Sequence, residues 1–215
     1  MHLKRLIATA ILGVALSISG AVAETPKDTL IVADTIDDVI TLDPGEVSEI
    51  GGVLTTNQIY QPLVSFNPAD PSEIIGVLAK SWSVADDGVT FTFLMNRDAK
   101  FASGNPLTAH DAEYSLRRIV KMKSRSAFII TQFGFTPENV DEWIKAVDDD
   151  TLVVKIGEAY APSFFLYCLS SYVGAIVDSA TVMAHEVDGD FGNAWLKSEN
   201  SAGSGPFVLT KWAPK

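Results

Sequence analysis

The stretch Leu78–Phe93 does most to limit what this chain can become. Leu78-Ala79-Lys80-Ser81-Trp82 runs into Asp86-Asp87-Gly88, and Thr90-Phe91-Thr92-Phe93 then alternates strictly. A period of two places both phenyl rings on one side of an extended segment. Asp-Gly supplies the positive-φ position that a tight reversal needs. The block predicts two strands joined by a turn, with one apolar face that must be covered. Trp82, Phe91, Phe93 and Phe101 are expected to build that core and not to touch a ligand.

The flanking sequence adds helices to these strands. Thr29–Ala33 reads as a buried strand, and Leu42-Asp43-Pro44-Gly45 as a turn. Near-helical spacing of Val53, Tyr60, Leu63 and Val64 predicts a helix from Gly52 to Val64, followed by a loop over Asn67–Ser72. Thr108, with Asp111 three residues on, caps a second helix. Ala112, Leu116, Ile119 and Val120 are its inward face, and Arg117, Arg118, Lys121 and Lys123 gather at its end, where cations suit the helix dipole. Thr136-Pro137-Glu138 looks like a helix start, while Ile144–Ile156 reads as two strands around Asp148-Asp149-Asp150. Pro162 opens a short aromatic helix through Ser170. Val182–Trp195 is mixed, Gly203-Ser204-Gly205-Pro206 is a turn, and Phe207–Thr210 a final strand. Strands and helices mix without a clean β–α alternation, which gives an α/β (α+β mixed) class.

The first 23 residues are of another kind. Lys4 and Arg5 precede an apolar run from Leu6, and Ala21-Val22-Ala23 is a small-x-small ending. This is the pattern of a cleaved signal peptide, too short in its apolar part for a membrane span. Cleavage after Ala23 takes two basic residues and no acidic ones, leaving 27 acidic and 14 basic. So acidic a chain is a poor match for nucleic-acid phosphates. A single cysteine, Cys168, excludes an internal disulfide, and its apolar neighbours predict a buried, unreactive thiol.

Motifs for chemistry are missing. There is no Gly-x-Ser-x-Gly elbow and no Ser-x-x-Lys pair, and His185-Glu186 is followed at 189 by Gly, not by the second histidine of a zinc-protease helix. His110 and His185 are expected on the surface, and no cofactor or metal is expected. An exported hydrolase with dispersed carboxylates and a chaperone-like protein remain as other classes.

Several segments together resemble the extracellular solute-binding proteins of family 5, the peptide and nickel group of ABC importers. They are Leu42-Asp43-Pro44, Ile59–Val64, Leu78–Phe93, Lys100-Phe101-Ala102-Ser103-Gly104-Asn105-Pro106-Leu107-Thr108-Ala109-His110-Asp111, Ser115–Arg118, Ala146–Leu152 and Gly203–Phe207. Gln61 and Pro62 depart from the family's pattern. The resemblance implies a periplasmic-binding-protein-like lobe of type II architecture, and it favours the hairpin over Ile144–Ile156. It implies a non-enzymatic, monomeric periplasmic protein that captures di- or oligopeptides and hands them to a membrane permease; nickel, haem, opines and sugars are the family's other ligands. Members run to about twice this length or more. Residues 24–215 are therefore expected to be the amino-terminal portion, the first lobe with its subdomain, with the second lobe absent. Two stretches correspond to cleft walls: Val47–Gly51, with Ser48, Glu49 and Ile50, and the region of Phe128. Glu49 could equally be solvated, and Phe128 equally core.

Amino-terminal sequencing of the exported chain is expected to begin at Glu24; a chain that keeps Met1 after export would reject the signal-peptide reading.

Overall fold

The computed structural model describes residues 25–198 and 200–213, and the export segment read over residues 1–23 lies outside them. The chain divides into a short first unit ending at Asp34 and a main unit from Thr35 onward. In the first unit Thr29 N–H donates to the Pro26 carbonyl at 3.0 Å and closes a turn. The strand expected over Thr29–Ala33 does not form, and Leu30, Ile31 and Val32 are exposed. Branched residues favour extended backbone, but a strand exists only where a neighbour completes its ladder.

In the main unit α1 (Ile50–Ile59) is shorter than the helix expected over Gly52–Val64. Tyr60 is already extended, and Pro62 disfavours helix at the residue before it, so the chain passes into β1 (Gln61–Pro62) and β2 (Val64–Asn67). The loop expected over Asn67–Ser72 is only a turn, because β3 (Asp70–Gly76) pairs back antiparallel to β2. The predicted hairpin is present as β4 (Ala79–Val84) and β5 (Thr90–Met95). At its turn Gly88 has φ 68°, and the Asp87 carboxylate accepts from the Val89 and Thr90 N–H groups, each at 2.9 Å. The capped helix follows as α2 (Ala109–Met122), then a 3₁₀ turn over Arg125–Ala127 and α3 (Phe128–Thr131). Both readings of the next segment hold in part. A short α4 (Val140–Trp143) leads into the hairpin of β6 (Ile144–Ala146) and β7 (Thr151–Lys155). The aromatic helix is α5 (Pro162–Leu169), followed by β8 (Ala175–Ile176), α6 (Ser179–Met183) and α7 (Asn193–Leu196). The final strand expected over Phe207–Thr210 is not formed, and Phe207 and Val208 are exposed.

The main sheet is antiparallel in the order β4-β5-β7-β6. Phe91 stands opposite Val154 and Phe93 opposite Leu152, and all four are fully buried. The inward face of α2, with Ala112, Leu116, Ile119 and Val120, packs in the same core. From α5, Phe165 reaches Phe91 at 4.7 Å and Phe133 at 4.9 Å between ring centroids. Each such ring contributes about 1.5–3 kcal/mol by leaving water. Phe101 is also buried, whereas Trp82, expected in the core, is only partly buried against it. Cys168 is half-buried where full burial was expected, and desolvation pushes its thiol pKa up.

The segment Lys100–Asp111 is a latch. Ser103 Oγ and Asn105 Nδ2 both donate to the buried Asp178 carboxylate, at 2.7 and 2.9 Å. Burial works against the charge on Asp178, and bonds from Thr181, Ser103 and Asn105 outweigh it, holding its carboxyl below the usual range. Asp111 completes the capping box by accepting from Thr108 N–H at 2.9 Å, and its other oxygen accepts from Ser179 N–H at 3.1 Å and Ser179 Oγ at 2.7 Å. The polar residues of this segment thus fasten the start of α2 to the start of α6.

A second polar tie lies deeper. Asp43 is 0% exposed and Arg118 2% exposed, and they meet through two parallel bonds of 2.8 and 2.6 Å. Asn193 donates to the same carboxylate at 2.7 Å, and Arg118 Nε donates to the Phe191 carbonyl at 2.7 Å. A Cβ on Gly45 would stand 2.8 Å from Arg118 Nη1, so the turn needs glycine there. Burial opposes the charge on Arg118, and the bonds and charge of Asp43 more than offset it, so the guanidinium pKa is raised. Arg118→Met leaves a buried carboxylate without its cation and is expected to cost about 3–5 kcal/mol in urea unfolding. Adding Asp43→Asn is expected to recover part of that loss, and a double variant no more stable than Arg118→Met would show that the two side chains do not act as a pair.

Candidate functional site

The Asp43 turn sets the course of the chain that follows. Asp43 N–H donates to Thr41 Oγ1 at 3.0 Å, and Gly45 N–H donates to Asp43 Oδ1 at 2.8 Å. The Asp43 carbonyl accepts from Glu46 and Val47 N–H at 3.0 and 2.9 Å. Val47 is buried, and its carbonyl accepts from Ser126 Oγ at 2.9 Å. Gly52 packs so closely that a Cβ there would lie 2.5 Å from Val47 Cγ2. The result is a segment pinned on both sides of Val47 that delivers Ser48, Glu49 and Ile50 to the surface.

All four residues read from the sequence as ligand contacts lie at or near solvent. Ser48 is exposed and Glu49 half-buried. Ser48 N–H and Oγ donate to the two Glu49 carboxylate oxygens, at 3.3 and 3.2 Å. Ile50 is 77% exposed as the first residue of α1, and Phe128 is 65% exposed as the first residue of α3. The choice left open for Phe128 therefore falls on the surface, not on the core. The Ser126–Val47 bond joins the two stretches, because Ser126 lies two residues before Phe128 and Val47 one before Ser48. Two stretches about 80 positions apart in sequence are thereby tied together, with Ile50, Phe128 and Glu49 at or near solvent. α1 starts beside them, with Gly51 and Gly52 buried against Val39 and Val47.

Asp43, Arg118, Asn193 and Ser126 hold the chain that leads into these stretches, and residue-by-residue reading gave none of the four this role. Arg118 was read as one of the cations at the end of α2. Its spacing was the available signal: it lies three residues beyond Ser115 and seven beyond Asp111, both buried, on the inward side of the helix. His110 is exposed, with carboxylate oxygens of Glu113 and Asp149 each 3.6 Å from a ring nitrogen. His185 is exposed and stacks on Trp195 with centroids 4.4 Å apart. Neither histidine lies in the two stretches. No helix among the described residues is long and apolar enough to cross a membrane.

Comparison with known proteins follows the same line. The probable D,D-dipeptide-binding periplasmic protein DdpA of Escherichia coli is 32% identical over 193 residues, covering 88% of this chain and 35% of that protein. The nickel-binding periplasmic protein of the same organism is 33% identical over 133 residues, 59% of this chain and 24% of that one. In fold, the chain is similar to Haemophilus influenzae OppA in its complex with RPPGFSPFR, with a TM-score of 0.68 at 23% identity, over 81% of this chain and 34% of OppA. The chain thus spans about a third of the length of DdpA, and the architecture it shares is that of a portion of a periplasmic binding protein. Residues 73–215 match the family model described as bacterial extracellular solute-binding proteins, family 5, middle. This chain belongs to the extracellular solute-binding proteins of family 5.

Proposed function

We propose that this chain is the amino-terminal lobe of a periplasmic binding protein that captures di- or oligopeptides and delivers them to an ABC permease in the inner membrane. It makes and breaks no bond, works as a monomer and reaches the periplasm through the signal read over residues 1–23. What supports this reading is that Ser48, Glu49, Ile50 and Phe128 lie at or near solvent on two stretches joined by the Ser126–Val47 bond, and we read them as one wall of the peptide cleft. Glu49 suits an ammonium, and Ile50 and Phe128 suit apolar side chains. The set suits a peptide better than a nickel ion, which prefers imidazole and other strong ligands in a fixed geometry.

Native mass spectrometry of the natural exported protein is expected to show a releasable mass in the range of a short peptide. In that protein Phe128→Ala is expected to weaken peptide binding about tenfold, as loss of an aromatic anchor does. Phe128 is exposed, so the urea midpoint should hold. Peptide hydrolysis by the purified protein, or unchanged affinity in both Phe128→Ala and Glu49→Ala, would reject this assignment.

A further inference from the structure

A half-open cavity of about 330 Å³ lies away from this wall, where α2 packs against α6. One face of each helix lines it, and Asp141 and Phe191 complete the lining. Its size falls within the range of small-molecule sites, ~300–1,000 Å³. Tyr114, Met183 and Phe191 supply its apolar surface. Tyr114 is half-buried there, and its phenol is pushed up to about 12, first by burial and then with a contribution from the Glu186 charge.

The charges around the cavity are unequally committed. Arg117 pairs with Glu113 and donates to the carbonyls of Asp141 and Ile144 at 2.7 and 2.8 Å. Lys121 reaches the Asp141 carboxylate at 2.7 Å, and Arg118 is held by Asp43. His110 stands between the carboxylates of Glu113 and Asp149. Every cation lining the cavity therefore already faces an anion. Glu186 differs, since its carboxylate has no hydrogen bond or ion pair among the described residues. An incoming anion would have to displace one of the existing pairs, whereas a cation meets a carboxylate with no competitor.

We propose that this groove binds a small organic cation, an amine or guanidine on an apolar arm, with Glu186 as its anchor and Tyr114, Met183 and Phe191 against the arm. Rings beside a cation add attraction through their faces. The site is separate from the peptide wall, and its test does not depend on that reading.

The test is an NMR titration of the chain, followed at ring-labelled tyrosine and methyl-labelled methionine. The probes are phenethylammonium and, as the matched anion, phenylacetate. Phenethylammonium is expected to give saturable shifts of Tyr114 and Met183. Glu186→Gln, a change at an exposed position, is expected to weaken that binding about fivefold, the scale of an exposed ion pair. Met183→Ala is expected to weaken it as well, read at Tyr114. An absent or unsaturable response, an equal response to phenylacetate, or full affinity in Glu186→Gln would overturn the proposal.

Discussion

Asp43 carries a charge with no access to water, and it is tolerated there only because Arg118 meets both of its oxygens. A pair of this kind contributes little net stability over a well-packed apolar pair, since both ions lose their hydration. Its effect is to forbid alternatives. Any arrangement that parts the two groups leaves a buried charge alone, at a cost that is a large fraction of the stability of a typical domain. The pair therefore fixes where the Asp43 turn sits against α2. Asn193 and the Phe191 carbonyl extend the constraint to the loop before α7. That loop holds Asp188, Gly189, Phe191 and Gly192 at positive φ, a course a free chain would rarely take.

The proposed peptide wall inherits this placement. Val47 follows the turn, Ser126 holds the Val47 carbonyl, and Ser48–Ile50 and Phe128 are what the two segments present outward. If the proposed wall binds peptide, its support lowers the freedom lost when the ligand arrives, so more of the contact energy appears as affinity. Peptide backbone is common to all peptides, and the backbone of the wall, not its side chains, is what the buried network holds.

The fold was legible wherever local chemistry had a single solution. Asp87-Gly88 between alternating residues permits a tight hairpin and little else, and Thr108 with Asp111 makes a helix start that tertiary contacts only reinforce. It was illegible where the outcome depends on a partner. Leu30–Val32 and Phe207–Val208 have strand composition and no strand, because a ladder needs a neighbour that no local pattern supplies. The end of α1 was misplaced because Tyr60, Leu63 and Val64 keep helical spacing by accident; their burial comes from strands and turns. At the site, the family resemblance suggested the two stretches, while the buried arginine behind them passed for one more helix-end cation. Its neighbours in sequence are cationic, and only its angular position on α2 sets it apart.

The polar residues of the family's most recognisable segment argue the same point from the other side. Ser103, Asn105, Thr108 and Asp111 look like a binding motif, since hydroxyl, amide and carboxyl groups gathered within nine residues often mean a ligand. Here most of their bonding capacity is spent inward, on Asp178, Ser179 and the start of α2. A buried carboxylate demands several donors, and a segment that must supply them tolerates few substitutes. A motif can therefore identify a binding protein without touching what is bound. Ser48, Glu49, Ile50 and Phe128, by contrast, lie at or near solvent, and Ser48 bonds Glu49 beside it, so the chemistry proposed for them can be read only after the buried pairs have shown which way the chain points.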